Sequence, residues 1–482
     1  MNPATLKRDS AVLKRDSAAL ISDPATLISA PDALISGPAT LIDAPAALIR
    51  KIGALVFIVG TLIFTLAALN LHAATPISPH GVVLLIADGT SLELLSAARI
   101  YQGGVTGKLA LDSMPQTAFV STYSSDSMVT DSGAAATALA RGIKTINRAV
   151  GTPPEGKPRQ ASMIELAKKA GWATGVITDD SVTGGTPAPF IIEHDHREEE
   201  YIVANLEMQS LGKSCDFLLG GGQRFFQGNI GPNERDVAQV KAFHDTLNAM
   251  PKSGIAVFSS WVAWDSAPPK DLSRPILGIF APEKLDFIAD GDRKPHLEDM
   301  VSEGLRLLQA SGKPWLLVAE AGLPDKACHL GNMKRALEEV LVLDRTVSLI
   351  RSKIGPNVLF LITTDHNTGG LTLGPGLPMS AKGDAFLRES PITKMPVLTF
   401  ASGPGGVIDS ADTTATPPKN PLNNVDYTQP DAVSPALLKT GAAFHSGGSV
   451  WLLGQGPGSE KVHGFLDNTD IYRIIVAAIH KE

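Results

Sequence analysis

One serine lies between an acidic residue and a run of small helix-forming residues, in the segment VTDSGAAATA at 129–138. The alanines predict a helix over 134–141, and Gly133 lets the backbone turn tightly into it. The Ser132 hydroxyl then lies at a helix N-terminus, where free amides and the helix dipole favour an anion such as a phosphate. A simple N-cap is the commoner role for such a serine. The rest of the sequence decides between a nucleophile and a cap.

Eight further residues with metal-binding or hydrogen-bonding side chains lie at predicted strand ends or in loops: Asp88, Thr186, Glu320, Asp325, His329, Asp365, His366 and His445. Asp325 and His329 are four residues apart, so a helical turn would place them on one face. Imidazole with carboxylate is a typical zinc donor set, whereas hydroxyl and carboxylate oxygens alone suit magnesium. Each residue alone is more often a cap or a surface residue. Their joint placement indicates a metal cluster beside Ser132 and phosphoryl transfer.

Continuous apolar runs precede several of these residues, which predicts buried parallel strands. The runs cover 81–87, 173–178, 315–319 and 358–364, and a final strand is predicted over 449–453. Helical patterns lie between them at 162–170, 297–310 and 333–352. This alternation predicts an α/β fold with a mostly parallel central sheet and helices on both faces. Ligands of such sheets gather beyond the carboxyl ends of the strands, where these acids fall. Two stretches rich in Pro, Gly and Ser, 254–294 and 372–441, are predicted to be loop-rich insertions.

The N-terminal part of the chain has a different character. Residues 1–51 carry a degenerate seven-residue repeat, in which a proline recurs once per repeat from Pro24 to Pro45. Because proline breaks helices, an irregular low-complexity arm is expected rather than a coiled coil. Arg50 and Lys51 precede the uncharged stretch 52–69, which predicts a membrane anchor with the arm in the cytoplasm and the body exported. A signal peptide cleaved near Thr75 is the alternative. Residues 70–80 then form a linker, and 81–482 the catalytic domain.

Composition sets wider bounds on the class of protein. The 482 residues are 19% charged and 44% hydrophobic, an ordinary globular balance. A net charge of −7 gives no basic surface for nucleic acid, which is not expected as a partner. Cys215 and Cys328 are the two cysteines, too few for a disulfide scaffold or a structural zinc cluster. A single bridge between them remains open.

From about residue 81 to the C-terminus, the sequence resembles the alkaline phosphatase family. The matching motifs are VTDSGAAATA at 129–138, TPA at 186–188, LLGGG at 218–222, AEAGLPDKACH at 319–329, TTDH at 363–366 and HSGG at 445–448. They follow the order of the family and span nearly the whole body of the chain. The resemblance therefore implies a hydrolase of small phosphate monoesters. A homodimer and the export predicted from the stretch 52–69 are compatible with it.

The resemblance also implies roles for individual residues. Ser132 would be the phosphorylated nucleophile. A first zinc ion would be held by Asp325, His329 and His445, a second by Asp88, Asp365 and His366, and a magnesium ion by Thr186, Glu320 and the bridging Asp88. Arg197, eleven residues after Thr186, matches the arginine that clamps phosphate, although a solvated arginine beside three glutamates is the alternative. Gly184 stands where the family usually has His or Asp, so the magnesium is expected to bind weakly.

Two other functions remain open at this point. A phosphodiesterase or a sulfatase of the same superfamily would use the same metal scaffold, but the serine in the TDS motif argues against both. A metal-binding surface protein that has lost its activity is the non-enzymatic alternative. The intact nucleophile and the other retained site residues argue against such a loss.

Overall fold

A computed structural model describes residues 56, 57, 61, 79–226, 254–291, 294–374, 379–390, 396–409 and 425–480. The predicted arm at 1–51 lies outside the described residues, and so does the predicted anchor at 52–69 except for three positions. Within the described ranges, no helix combines the length and the apolar character that crossing a bilayer requires.

One large sheet and two smaller ones contain all the strands of the described residues. In chain order the strands are β1 Gly81–Ala87, β2 Gln116–Ser121, β3 Ala173–Ser181, β4 Phe217–Gly221, β5 Ala256–Phe258, β6 Ile276–Ile279, β7 Trp315–Ala321, β8 Val358–Thr363, β9 Asn367–Thr368, β10 Thr372–Leu373, β11 Leu398–Gly403, β12 Gly406–Asp409, β13 Ala436–Lys439, β14 His445–Ser446, β15 Val450–Gln455 and β16 His463–Asp467. The large sheet has ten strands in the order β16-β2-β15-β8-β1-β7-β3-β4-β6-β5. Within it, β15 alone runs against its neighbours, because it pairs antiparallel with β2 and β8. The predicted mostly parallel sheet is confirmed.

Helices cover this sheet. In chain order they are α1 Leu92–Gly103, α2 Ser132–Arg141, α3 Met163–Lys169, α4 Ala188–Ile191, α5 Glu200–Ser210, α6 Gln223–Phe226, α7 Trp261–Ser266, α8 Leu297–Ala310, α9 Leu323–His329, α10 Met333–Lys353, α11 Asp384–Leu387 and α12 Asn468–His480. The predicted helices at 162–170, 297–310 and 333–352 correspond to α3, α8 and α10.

The central strand β1 shows why both faces need cover. It lies between β7 and β8 and is buried along its whole length. Val83 and Leu85 join one hydrophobic cluster, while Val82 and Leu84 join a second one, because successive side chains of a strand point to opposite faces. A strand apolar on both faces is stable only between two helical layers.

Three predictions about the chain need correction. The stretch 254–294 is not only loops, since it contributes β5 and β6 to the edge of the large sheet and also contains α7. The stretch 372–441 contains the strands of a separate four-stranded sheet, in the order β10-β11-β13-β12. The strand predicted at 449–453 is present as β15 but is not the last one. β16 follows β15 in the chain and forms the edge of the large sheet opposite to β5. Its residues are exposed or half-buried and give no apolar run in the sequence.

Candidate active site

The serine of the TDS motif begins a helix that is capped by its neighbour. Ser132 is the first residue of α2, and the Asp131 side chain accepts a hydrogen bond from the Ala134 amide at 2.9 Å. Asp131 is thus the N-cap, and the alternative role of Ser132 as the cap is wrong. The Ser132 side chain is free for another partner, and its Oγ lies 3.1 Å from His366 Nε2.

The first predicted metal set converges on one point. Asp325 and His329 lie on α9, as the four-residue spacing predicts, with His329 Nε2 3.2 Å from Asp325 Oδ2. His445 follows from the far end of the chain, and its Nε2 lies 3.1 Å from His329 Nε2. The three residues each offer one ligand atom, and these atoms lie within 4.8 Å of one another.

The orientation of the two imidazoles suits a cation. His329 Nδ1 lies 2.6 Å from the Ala443 carbonyl oxygen, and His445 Nδ1 lies 3.0 Å from that of Thr130. Each Nδ1 must therefore carry the donating proton, so both Nε2 atoms point into the cluster. Burial, reinforced by the neighbouring His366, lowers the pKa of His445 to about 4 and keeps it neutral. Burial opposes protonation of His329 too, but Asp325 outweighs it and raises the His329 pKa. The Asp325 carboxylate thus makes the centre of the cluster favourable for a positive charge.

The second predicted set lies at the ends of two adjacent parallel strands. Asp88 follows β1, and Asp365 and His366 follow β8. His366 Nε2 is 3.2 Å from Asp365 Oδ2 and 3.5 Å from Asp88 Oδ1. These two carboxylate oxygens are buried, and no donor in the described part of the chain bonds to them. Burial, together with repulsion from nearby carboxylates, raises the pKa of Asp88 well above its usual range and that of Asp365 to about 6. A divalent cation would relieve this cost, so the residues fit a metal.

A threonine that the sequence analysis missed connects the two clusters. The Thr368 hydroxyl donates a hydrogen bond to Asp325 and lies 3.3 Å from His366 Nδ1. Since the Thr368 proton is used on Asp325, the Thr368 oxygen accepts the proton of His366 Nδ1. His366 Nε2 then presents its lone pair to Ser132, and burial lowers the His366 pKa to about 4. The sequence offered one signal for Thr368, namely its position two residues after His366.

The third predicted set borders the second one through Asp88. The Thr186 hydroxyl donates to Asp88 Oδ2 at 3.5 Å, and Glu320, at the end of β7, accepts from the Thr178 hydroxyl. Burial, and after it the charge of Asp180, raises the pKa of Glu320 to about 7. Gly184 offers no donor atom, as the sequence shows.

An ion pair that the sequence analysis did not predict lies beside this third set. Lys326 Nζ is 3.1 Å from Asp180 Oδ2. The same carboxylate oxygen is 3.8 Å from the position of a Cβ on Gly184. The space that a ligand side chain at residue 184 would enter is therefore bordered by a paired carboxylate and ammonium group.

Arg197 faces the cleft that leads to Ser132. Its Nη1 lies 3.1 Å from Asp131 Oδ2, so it is held in an ion pair rather than directed only into solvent. Burial lowers its pKa, but the Asp131 charge outweighs burial and raises it. The guanidinium packs on Gly185, where an added Cβ would lie 2.3 Å from Arg197 Cζ. The cleft has a volume of about 340 Å³, and its lining includes Ser132, Arg197 and both histidines of the first cluster.

Other supporting contacts gave little sequence signal. The Asp179 carboxylate accepts hydrogen bonds from the amides of Gly322 at 2.6 Å and Leu323 at 3.2 Å, which fixes the start of α9 and so the position of Asp325. The predicted strand ended one residue before Asp179. Cys215 and Cys328 are free and buried, so the bridge that remained open is absent.

A parallel sheet with a helix-N-terminal serine and two cation-compatible clusters at its carboxyl edge is the arrangement of a phosphoryl-transfer hydrolase. The family model for alkaline phosphatase matches residues 80–481, and the chain belongs to this family. It is an enzyme that hydrolyses phosphate monoesters, as the sequence motifs predict.

Curated relatives and solved structures agree with this family. The chain is 27% identical over 424 residues to alkaline phosphatase 4 of Bacillus subtilis. The aligned region covers 82% of this chain and 87% of that protein. It is 31% identical over 311 residues to an alkaline phosphatase of Schizosaccharomyces pombe, covering 61% and 57%. The structure of Thermus thermophilus alkaline phosphatase superposes with a TM-score of 0.63 at 24% identity, over 85% of this chain and 94% of that one. The enzyme from the Antarctic bacterium TAB5 gives 0.62 at 22% identity, over 84% and 99%. The structural likenesses confirm the fold.

Proposed function

We propose that Ser132 is the nucleophile of this phosphatase and that the two clusters hold zinc ions beside it. The observation that carries the proposal is the 3.1 Å contact between Ser132 Oγ and His366 Nε2, because it places the hydroxyl against a residue of the second cluster. The same hydroxyl begins α2, where free amides favour an anion.

The metal ligands follow from the donor sets. Asp325, His329 and His445 would hold one zinc, and Asp88, Asp365 and His366 the other. Thr186 and Glu320, with Asp88, would hold a magnesium ion weakly, since Gly184 supplies no donor. Bound ions would act as Lewis acids that favour the ionised serine and neutralise charge on the phosphate and leaving oxygens.

The protein residues orient and carry the phosphoryl group. The Ser132 hydroxyl gives up its proton to solvent, and its Oγ attacks phosphorus in line. The Oγ–P bond forms as the ester P–O bond breaks, and the departing oxygen takes a proton from solvent, so that the alcohol leaves neutral. Water then cleaves the Oγ–P bond, which releases phosphate and restores the hydroxyl. Arg197 binds two phosphate oxygens and is held for this by Asp131.

Metal analysis combined with a turnover assay tests this proposal. The purified wild type should hydrolyse p-nitrophenyl phosphate, lose this activity to a chelator and regain most of it with zinc. His329→Ala and His445→Ala should each lower the zinc content by about one ion per chain, since each removes one donor of a small set. His463→Ala, at an exposed position of β16, is the matched control. Unchanged zinc in both site variants would overturn the metal assignment.

The proposed location of the catalytic body is outside the cytoplasmic membrane, with 52–69 as its anchor. The support is the uncharged stretch itself and the positive residues Arg50 and Lys51 before it. The full chain should then stay with the membrane fraction. Release of a soluble protein whose N-terminus lies near Thr75 would instead establish a cleaved signal peptide.

A further inference from the structure

Arg148 has a backbone conformation that an arginine rarely adopts. Its φ is 73°, and it is the one non-glycine residue with a positive φ in the described ranges. Glycine takes this left-handed conformation without penalty, whereas a side chain makes it unfavourable. Residues held in such a conformation cluster at functional sites, so the retained side chain needs a reason.

The backbone contacts of Arg148 explain its conformation but not its side chain. The Arg148 amide donates to Asp131 Oδ2 at 3.0 Å, and its carbonyl accepts from the Arg197 amide at 2.8 Å. These two bonds connect the cap of α2 with the arginine of the cleft. A glycine could make both bonds at lower cost, so they do not require a guanidinium.

The Arg148 side chain lies at the mouth of the cleft. It lines the same cleft as Ser132 and Arg197, yet it is 66% exposed, whereas Ser132 is 3% exposed. Its Nη2 pairs with Glu198 Oε1 at 3.1 Å. In-line attack places the leaving oxygen on the side of phosphorus opposite Ser132 Oγ, so the leaving group extends toward the cleft mouth. Arg148 is therefore placed to meet the alcohol part of a substrate rather than its phosphate.

We propose that Arg148 binds a second anionic group on the leaving alcohol, so that the enzyme favours monoesters whose alcohol part carries a negative charge. The inference rests on the proposed function, which fixes the direction of attack. Glu198 holds the guanidinium when no substrate is bound and exchanges with the substrate anion when one is. The guanidinium can bind either a carboxylate or a second phosphate through paired N–H groups.

Two substrates that differ in this charge test the proposal. Glycerol 3-phosphate and 3-phosphoglycerate have the same carbon skeleton, and the second carries a carboxylate. The measured quantity is the ratio of their kcat/KM values, 3-phosphoglycerate over glycerol 3-phosphate. Arg148→Gly suits the left-handed backbone and removes the guanidinium, and it should lower the ratio about fivefold. Arg148→Lys should keep much of the ratio, and Glu198→Gln should raise it by removing the competitor.

Arg473→Ala is the matched control, because Arg473 is equally exposed at 66% but does not line the cleft. Its ratio should equal that of the wild type. An unchanged ratio in Arg148→Gly, with both substrates still hydrolysed, would overturn the inference and leave the proposed function standing. An equal loss on both substrates would also overturn it, since Arg148 would then only position Asp131 and Arg197. A wild type that hydrolyses p-nitrophenyl phosphate but neither of these two esters would overturn the inference, whereas a wild type that hydrolyses none of the three would overturn the proposed function itself.

Discussion

Adding one methyl group at Gly185 should weaken phosphate binding while the fold stays intact. An ideal Cβ at this position lies 2.3 Å from Arg197 Cζ and 2.5 Å from its Nη2, distances that no side chain tolerates. The guanidinium must therefore move. Because the obstructing atoms are the end of a flexible side chain, the backbone around Gly185 can stay in place.

The size of the effect follows from what Arg197 contributes. A hydrogen bond to a charged group is worth about 1.5–3 kcal/mol. At 1.4 kcal/mol per tenfold change, loss of one of the two contacts of the clamp would raise the dissociation constant of inorganic phosphate about 10- to 150-fold, and loss of both would raise it further. We expect the full loss in Arg197→Ala. Gly185→Ala should give about a tenfold loss, since a displaced guanidinium can keep one contact.

Competitive inhibition by inorganic phosphate measures this change directly. The inhibition constant is determined against p-nitrophenyl phosphate for the wild type and both variants, with thermal unfolding to verify the fold. Gly355→Ala is the control, because an added Cβ there meets no atom within 4 Å. If Gly185→Ala kept the inhibition constant of the wild type while Arg197→Ala raised it, the argument that an added Cβ at Gly185 displaces the guanidinium would be refuted. Wild-type constants in both variants would refute the phosphate-clamping role of Arg197.

Two further predictions concern pH and the third metal. Burial raises the pKa of Glu339 to about 8, while its Oε1 accepts from the Ile288 amide at 2.7 Å. A carboxyl with a raised pKa stabilises the fold below its unfolded pKa and loses that contribution as the pH rises through about 8, so the wild-type Tm should fall between pH 5 and 9. Glu339→Gln should make this fall in Tm smaller, whereas Glu93→Gln, a control at an exposed position, should leave it unchanged. Parallel curves of Tm against pH for the wild type and both variants would contradict the prediction. Gly184→Asp should increase the magnesium retained through dialysis at constant zinc, because it adds a donor. Its control is Gly184→Ala, whose added Cβ lies at the same 2.9 Å from the Ser181 carbonyl oxygen but brings no donor atom. Equal amounts of retained magnesium in both variants would contradict the role of the new carboxylate.

The sequence predicted the parts of the fold that have long, uniform signals. The strands β1, β7 and β8 are apolar runs of six or seven buried residues, and α8 begins and ends where its pattern does. The short strands β5 and β6 have three and four residues, too few to show a period among the prolines and glycines around them. β16 has mostly exposed residues and is defined by its pairing with β2, which is a tertiary contact.

The candidate site shows the same division. Motifs brought residues such as Ser132 and His445 together in the prediction, although 313 positions separate them in the chain. The supporting contacts needed coordinates. The left-handed conformation of Arg148 depends on hydrogen bonds to Asp131 and Arg197, and no local sequence pattern specifies it. Gly184 was visible as a missing ligand, but the Lys326–Asp180 ion pair beside it depends on how α9 meets β3.

Acid quenching during turnover tests the central assignment of Ser132 most directly. With a phosphate monoester labelled in its phosphorus, the wild type should retain covalent label on Ser132 after denaturation in acid. Ser132→Ala should retain none, while its zinc content and Tm stay close to those of the wild type. The control Ser352→Ala, at an exposed position of α10, should be labelled like the wild type. Label on any residue other than Ser132, or label that persists in Ser132→Ala, would contradict the account.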